Sequence, residues 1–390
     1  MSKKNKNSEF ESDVAVKQPK KKKKGSGVFG RIVRRFFLMF FTIIILIVVA
    51  LCLVLYTIFN GPSDAAREVL TMSLLEPSGT KWIPPLFLDE ETLDSIRYGD
   101  QMEMSENVTD TSKVVINMST SLSGDSDEFA DHPDGLYIEE YKGATFNAYI
   151  MIIRDPSLVF MGTSTEKYST AIPGKRLNEV MAEADESIVA AINAGAFYDN
   201  GTSDSIVGSV PAGLVYSKGQ MVWNSYHGYI PKETGGGFVG FNDDNVLVVA
   251  KAMTPEKAEE LNIRDGCEFG PPLIINGEVN MDAYNNASGF NPRTAIGQRE
   301  DGAVIFVCID GRQAGSVGGT YADVIDIMTE YGAVNACNLD GGSSSVMMYR
   351  DMYGLYGPAG EVTMINNYSV MQSQPRRMPN YWLIKTASEE

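Results

Sequence analysis

Histidine and cysteine are scarce in this chain of 390 residues, which contains two histidines and four cysteines. The histidines, His132 and His227, belong to no recognisable motif, so a Ser-His-Asp triad or a histidine-rich metal site is poorly supported. Cys52 lies in an apolar run, and the other three cysteines are too few for a disulfide framework. We expect Cys308 and Cys337 to be core thiols, although their strands are predicted neighbours and a disulfide between them is an alternative.

Basic residues are concentrated at the N-terminus and are sparse elsewhere. Residues 1–35 contain 12 Lys or Arg and 3 Asp or Glu, a net charge of +9, whereas the rest of the chain contains 21 and 47, a net charge of −26. A strongly acidic main body offers few cations to neutralise the phosphates of a nucleic acid. We therefore expect no nucleic-acid partner.

Charged residues are absent from residues 36–59, a run of 24 residues. At a rise of about 1.5 Å per residue, a helix of this length crosses a hydrocarbon core of about 30 Å. A cleaved signal peptide is the alternative, but its apolar part is usually only about 7–15 residues long. Basic residues precede the run, so the positive-inside rule places the N-terminus in the cytoplasm. We predict a single-pass membrane protein with an extracellular C-terminal domain.

Composition divides the chain into four predicted segments: a basic cytoplasmic tail (1–35), a transmembrane helix (36–59), a membrane-proximal stalk or collar (60–134) and a globular domain (135–388). The first 30 residues are rich in lysine and have no apolar period, so we expect them to be disordered. The globular domain contains many short apolar runs separated by turn residues, as at Asn276-Gly277. These patterns predict a mixed α/β (α+β) fold with a mixed sheet of short strands.

The most informative stretch, residues 291–347, follows a strand-turn-strand-helix-strand pattern. Its strands are predicted at 293–298, 303–309 and 333–339, and its helix at 321–331. The last two strands each end in an acid, Asp310 and Asp340. A strand, a crossover helix and a strand usually form a right-handed parallel unit, and ligands bind at the carboxyl ends of such strands. Asp310 and Asp340 should therefore lie at the same edge of the sheet.

Two arginines and several glycines accompany these acids. Two carboxylates that flank a bond are the usual apparatus of a glycosidase, and arginines such as Arg293 and Arg312 are natural bidentate ligands of phosphate. Glycine-rich turns after both acids leave backbone amides available to an anion. The alternative is an ion-pair network that only holds the strand ends together. We expect the serines at 343–345 to cap a turn or hold an oxyanion, and not to act as a nucleophile.

Five motifs in the C-terminal half resemble the phosphodiester glycosidase family: NAGAF at 193–197, NPRTAIG at 291–297, DGR at 310–312 followed by Gly318, NLDGGSS at 338–344, and RRMP at 376–379. The sequence departs from the family pattern at four positions: Ala194, Ala196, Ser343 and Pro375. These departures concern substrate detail more than fold.

The resemblance implies hydrolysis of the bond between an anomeric carbon and a phosphate in a sugar-1-phosphodiester. The sugar expected is of the N-acetylglucosamine type, and the context is envelope or exopolysaccharide metabolism. On this basis we predict that Arg293 and Arg312 bind phosphate and that Asp310 and Asp340 stabilise the oxocarbenium charge and activate water. The predicted substrate-binding residues are Asn193, Gly195, Thr294, Gly318, Gly341, Gly342, Ser343, Ser344 and Arg376. No cofactor is expected, although the acidic pair could bind a divalent cation.

Two interpretations without catalysis stay open at this point. A module that binds anionic glycopolymers would keep the cleft but not the reaction, and the alanines at 194 and 196 favour it. A cell-surface scaffold would use the anchor and the stalk, with the acidic pair holding a cation. Neither would release a free sugar, which the glycosidase interpretation predicts.

Overall fold

The structure is a computed structural model that describes residues 28–75, 79–98, 108–114, 128–129, 132, 135–198, 208–224, 237–285, 288–351, 354–368 and 374–386. Nearly all of the segment predicted to be disordered, and His227, lie outside these residues. The chain divides into two compact units, Met1–Thr57 and Ile58–Glu390.

Seven α-helices lie in the described residues: α1 (Val28–Phe59), α2 (Asp64–Leu75), α3 (Glu90–Tyr98), α4 (Leu177–Glu183), α5 (Pro255–Glu260), α6 (Met281–Asn285) and α7 (Tyr321–Glu330). The segment Gly30–Phe59 is long and apolar enough to cross a membrane, a test that a signal sequence would also pass. α7 begins after Thr320, as predicted. The Thr320 hydroxyl accepts from the amide of Asp323, and the Asp323 carboxylate accepts from the amide of Thr320 in a capping box.

The described residues also contain seventeen strands: β1 (Leu136–Lys142), β2 (Asn147–Ile153), β3 (Val159–Thr163), β4 (Ile188–Asn193), β5 (Leu214–Ser217), β6 (Gln220–Asn224), β7 (Phe238–Asn242), β8 (Leu247–Ala250), β9 (Ile263–Glu268), β10 (Pro272–Ile275), β11 (Glu278–Val279), β12 (Arg293–Arg299), β13 (Val304–Ile309), β14 (Ala333–Leu339), β15 (Met347–Arg350), β16 (Val362–Met364) and β17 (Asn380–Lys385). They form three sheets with the orders β1-β2-β13-β12-β14-β10-β11, β16-β15-β4-β17-β3 and β6-β5-β9-β7-β8. The mixed α/β class is confirmed, with the strands distributed over three sheets.

The strand order of the first sheet decides where the two acids lie. β12 pairs antiparallel with β13, placing Arg293 opposite Ile309, and antiparallel with β14, placing Thr294 opposite Leu339. β13 and β14 therefore run in the same direction on either side of β12, and their carboxyl ends lie at one edge of the sheet, as expected. Two spacings of about 4.8 Å put these strands about 10 Å apart. The expectation that they are direct neighbours is wrong, because β12 lies between them.

The insertion of β12 also settles the state of the cysteines. All four lie in the described residues and are free thiols, and Cys308 and Cys337 are buried in strands that β12 separates. Burial raises the pKa of both thiols. The prediction of core thiols is confirmed, and the alternative of a disulfide between Cys308 and Cys337 is not.

The uninterrupted apolar sequence of β13 results from burial on both of its faces. Phe306 and Cys308 point into a core that the three sheets share. Ile305 and Val307 point to the other face, where they pack in a cluster with residues of α7. A strand covered on both sides needs no polar alternation, and Asp310 is the first charged residue after its end at Ile309.

The described parts of the membrane-proximal segment contact the globular domain. The Ser73 hydroxyl of α2 accepts a hydrogen bond from the amide of Phe290 at 2.9 Å. The Thr109 hydroxyl donates to Oδ1 of Asn335 at 3.0 Å. These two hydrogen bonds join the described parts of residues 60–134 to the globular domain.

Candidate active site

The edge where β13 and β14 end borders a cleft of about 160 Å³. Four segments form its walls: the residue before β12, the end of β13 with the residues after it, the turn between β14 and β15, and the loop after β16. The lining residues are Pro292, Ile309, Asp310, Gly311, Arg312, Gly342, Ser343, Ser345, Asn366, Asn367 and Tyr368. Four of the predicted site residues therefore meet in one cleft: Asp310, Arg312, Gly342 and Ser343.

Asp310 is the carboxylate in the wall of this cleft. Its amide donates to the carbonyl of Asn147 at 2.9 Å, and its carbonyl accepts from the hydroxyl of Ser316 at 2.7 Å, so its backbone is held on both sides. The residue is only 2% exposed. Burial raises the pKa of its carboxyl group to about 6, and hydrogen bonds from Asn367 and Asn366 oppose the rise. Asp310 can therefore change protonation state near neutral pH.

Two consecutive asparagines hold the Asp310 carboxylate. Nδ2 of Asn367 donates to Oδ2 of Asp310 at 3.1 Å, and Nδ2 of Asn366 reaches Oδ1 at 3.5 Å. Asn366 is itself fixed by the amide of Met347, which donates to its Oδ1 at 2.9 Å. Amide donors favour the ionised carboxylate. Sequence reasoning missed both asparagines, whose only local signal is a polar pair shortly after a short apolar run.

Arg312 supplies a cation at the rim of the cleft. Its φ of 60° is unusual for a residue with a side chain. The side chain is exposed, and Nη2 donates to Oδ1 of Asn291 at 2.9 Å. The guanidinium packs over Gly342, where a Cβ atom would lie 3.1 Å from Nη2 and where φ is +62°. Glycine at 342 thus leaves room for the arginine that sequence analysis assigned to phosphate.

Tyr368 connects the cleft to further positive charge. Its hydroxyl donates to the carbonyl of Ser343. Burial raises the pKa of this phenol, while the backbone of Arg376 and the positive charges of Arg376, Arg176 and Arg312 oppose the rise. Arg176 is ion-paired with Glu179 at 3.4 Å, so Arg376 and Arg312 supply the positive charge here, which favours an anionic ligand.

Arg293 occupies a different position from Arg312. The residue is 4% exposed, and its guanidinium donates to the carbonyls of Gly289 at 2.6 Å and Gly319 at 3.2 Å. It also lies over the ring of Tyr321, 4.4 Å from the centroid. Arg293 does not appear in the cleft lining. This geometry favours a role in holding two loops in place. It does not favour the predicted direct contact with phosphate.

Asp340 lies at the same edge as Asp310, one strand beyond β12, and is partly buried. Its amide donates to the carbonyl of Ala194 at 3.1 Å, and its carbonyl accepts from Nδ2 of Asn193 at 2.5 Å. These bonds attach the end of β14 to the end of β4 in the second sheet. Among the described residues, no group of three or more His, Cys, Asp or Glu side chains could hold a metal ion.

The other predicted substrate-binding residues are divided between the cleft wall and the layer behind it. Gly342 and Ser343 line the cleft, next to Ser345, whose buried hydroxyl has no hydrogen-bond partner in the described protein. Ser345 is not among the predicted substrate-binding residues, although the serines at 343–345 are expected to cap a turn or hold an oxyanion. Outside the lining are Asn193, Gly195, Thr294, Gly318, Gly341, Ser344 and Arg376.

Asn193 and Thr294 are two of the predicted residues that lie outside the cleft lining. Both are completely buried, and the Thr294 hydroxyl donates to Oδ1 of Asn193 at 3.0 Å. The same oxygen accepts from the amide of Val346 at 3.2 Å. In this arrangement Asn193, held by Thr294, supports the end of β14 and the start of β15, which the cleft turn connects.

Fold and cleft together define an α/β protein in which an acid and an arginine at strand ends face a common cleft. The chain belongs to the phosphodiester glycosidase family, whose model matches residues 186–385, about half of its length. That region contains the five motifs on which the resemblance was based.

Individual relatives share less of the sequence. The SPbeta prophage-derived uncharacterized protein YomE of Bacillus subtilis (strain 168) is 28% identical over 196 residues, which are 49% of this chain and 27% of that protein. The catalytic domain of zebrafish N-acetylglucosamine-1-phosphodiester alpha-N-acetylglucosaminidase, auto-inhibited by its pro-peptide, is 20% identical with a TM-score of 0.48, over 65% of this chain and 82% of that one. A hypothetical protein from Synechocystis is 17% identical with a TM-score of 0.41, over 65% and 62%.

Proposed function

We propose that this chain is a hydrolase that releases a sugar from a sugar-1-phosphodiester, and that the sugar is of the N-acetylglucosamine type. One observation carries the proposal: a carboxyl group with a pKa of about 6, on Asp310, lines the same cleft as the cationic side chain of Arg312. The cleft thus combines a group that can take or stabilise charge at the sugar with a group that binds phosphate. Family membership supports the same reaction.

In the proposed reaction, the bond between the anomeric carbon and the phosphate oxygen breaks. The electron pair leaves with the phosphate monoester, and the oxygen of a water molecule bonds to the anomeric carbon. Because phosphate is a good leaving group, stabilising its charge contributes more than protonating it. We assign this stabilisation to Arg312, with the positive charges near Tyr368 attracting the rest of an anionic substrate.

Asp310 acts in this proposal as the ionised carboxylate that stabilises the developing oxocarbenium charge or accepts the proton of the attacking water. The amide groups of Asn366 and Asn367 keep it ionised and aimed into the cleft. Asp340 is the second acid, at the same edge of the sheet, and Arg293 positions the loops that frame the cleft. Asn193 donates a hydrogen bond to the backbone carbonyl of Asp340, and Thr294 holds Asn193 in turn.

We further propose that α1 anchors the chain in the cell membrane, with the basic residues before it in the cytoplasm and the domain that carries the cleft outside. Length, the absence of charge and the positive-inside rule support this orientation. The substrate would then be a sugar-phosphate or glycopolymer of the envelope or of an exopolysaccharide.

The test is hydrolysis by the full-length chain of a methyl phosphodiester of N-acetylglucosamine-1-phosphate in water enriched in heavy oxygen. Cleavage at the anomeric carbon puts the label in the released sugar, and this is the expected result. Label in the phosphate would identify a phosphodiesterase and refute the proposal. Binding without release, across several sugars, would instead identify a glycopolymer-binding module.

The pH dependence provides a second test, because a carboxylate needed in its ionised form makes kcat/KM fall as the pH drops through about 6. Replacing Asn367 by alanine removes a donor that lowers the pKa of Asp310. The pKa should rise, so the acid limb should move to higher pH by about one unit, the equivalent of a hydrogen bond worth about 1.4 kcal/mol. The measurement is kcat/KM against pH.

A matched control for this experiment is Gln313→Ala. Its Nε2 donates to the backbone carbonyl of Asn367 and does not touch the carboxylate. We expect the acid limb of this variant to stay where it is in the wild type. A limb that is unchanged, or shifted to lower pH, in Asn367→Ala would contradict the assignment of this limb to Asp310.

A further inference from the structure

An exposed apolar face lies in the turn of chain between α2 and α3. Trp82 is 61% exposed and Leu86 is 67% exposed. Both belong to the compact unit Ile58–Glu390, which also contains the cleft. The chain from Thr80 to Phe87 forms successive tight turns, including a short 3₁₀ helix at Pro84–Leu86. The fourth residue after Trp82 is Leu86, and Pro85 between them is also exposed. Trp82 precedes the 3₁₀ helix and Leu86 ends it, so three exposed apolar side chains lie within five consecutive residues.

The polar atom of the Trp82 indole is hydrogen-bonded within its own turn. Nε1 donates to the carbonyl of Gly79 at 3.0 Å, in the same turn. The exposed remainder of the ring is therefore apolar surface. Exposing it to water costs free energy that contact with an apolar phase would recover.

The position of this face is tied to the end of the apolar run. Phe59 is the last residue of the uncharged stretch and is buried against Phe87, with the two rings stacked at a centroid distance of 5.0 Å and an interplanar angle of 20°. Phe87 directly follows Leu86. If residues 36–59 cross a membrane, Phe59 marks the depth at which the chain leaves the hydrocarbon, and the exposed face lies beside it.

We infer that Trp82 and Leu86 insert into the outer lipid leaflet, where they form a second contact between the extracellular domain and the membrane; this inference rests on the proposed anchoring by α1. Tryptophan is enriched at this boundary, because its ring suits the transition from headgroups to acyl chains. Lys81, next to Trp82, is exposed, and so are the acids that open α3, Glu90 and Glu91, so these three charges sum to −1. Contact should therefore depend on the lipid interface and not on anionic headgroups, so zwitterionic phosphatidylcholine is sufficient.

The contact also bears on the cleft. Ser73 of α2 bonds to Phe290, and Gly289 next to it packs so closely on Ser73 that a Cβ there would lie 2.2 Å from the Ser73 backbone. Gly289 in turn accepts from the guanidinium of Arg293. A domain fixed to the lipid surface at Trp82 as well as at Phe59 would hold the cleft at a limited range of heights above the membrane.

The test uses the intrinsic fluorescence of the full-length chain in phosphatidylcholine nanodiscs. Lipids brominated near the headgroup end of the acyl chain should quench the wild-type emission more than lipids brominated near the methyl end. In Trp82→Phe the lipid-dependent quenching should be lost, because Trp382 is fully buried and Trp223 packs against Tyr168. In the matched variant Trp223→Phe it should remain.

Other outcomes overturn the inference. Equal quenching in wild type and Trp82→Phe would mean that Trp82 is not the residue in contact with lipid. Quenching of Trp82 by aqueous acrylamide but not by bromine would place it in water, and protection from both would mean that protein, such as a second copy of the chain, covers it. A chain that does not stay with the nanodisc would refute the anchor and the contact together. Sugar release, measured in the same samples, reports on the enzymatic proposal separately.

Discussion

Replacing Asp310 by asparagine should lower kcat for sugar release by a factor of about 10³ or more, the scale expected when a group that takes a proton or balances transition-state charge is lost. The side chain keeps its size and could still be held by Asn367, but the amide carries no charge and accepts no proton. KM should change much less, because Arg312, the proposed phosphate ligand, is unchanged. The measurement is kcat and KM on a sugar-1-phosphodiester, at the optimum pH of the wild type.

Two variants make this result interpretable. Asp243→Asn changes an exposed acid in the turn after β7 and should leave kcat unaltered. Asp340→Asn changes the second acid and should also lose orders of magnitude in turnover while the protein stays folded. An Asp310→Asn enzyme that keeps more than about a tenth of the wild-type turnover would remove Asp310 from the mechanism, because such a small loss is below the usual effect of a catalytic carboxylate. A large loss in Asp340→Asn alone would transfer the role to that residue.

Replacing Asn193 by alanine should reduce the free energy of unfolding of the domain by about 3–5 kcal/mol. The side chain is 0% exposed and takes part in three hydrogen bonds. It accepts from Thr294 and from the amide of Val346, and it donates to the carbonyl of Asp340. Each buried group left without a partner costs about 1–3 kcal/mol, and the removed atoms leave a small cavity. The measurement is denaturant unfolding of the full chain in detergent.

Thr294→Val is the matched control for this prediction. It removes one of the three bonds of Asn193 and keeps the shape of the side chain, so we expect a loss of about 1 kcal/mol. A cost for Asn193→Ala below that of Thr294→Val would show that Asn193 does not join the two sheets in the way that the structure indicates. Activity per folded molecule should fall in Asn193→Ala, because Asp340 loses its backbone support.

Sequence patterns were sufficient to predict the elements that carry the site. The apolar run of β13 could be recognised because both faces of that strand are buried, and α7 because Thr320 and Asp323 form a local capping box. The direction of β13 and β14 followed from the helix between them, so the common edge of Asp310 and Asp340 could also be predicted. These features depend on interactions between residues close in sequence, or on the burial of a whole strand.

Tertiary structure alone decided which side chains meet in the cleft. Asn366 and Asn367 reach Asp310 from more than fifty positions away in the sequence, and no local pattern encodes such a pairing. β12 separates β13 from β14 because it pairs with both of them, and strand patterns alone do not give the order of strands in a sheet. Arg293 and Arg312 are chemically identical, yet one is buried among backbone carbonyls and the other lies at the rim. Residue type determines which partners a side chain can accept, but only packing determines whether the partner is the protein itself or a ligand.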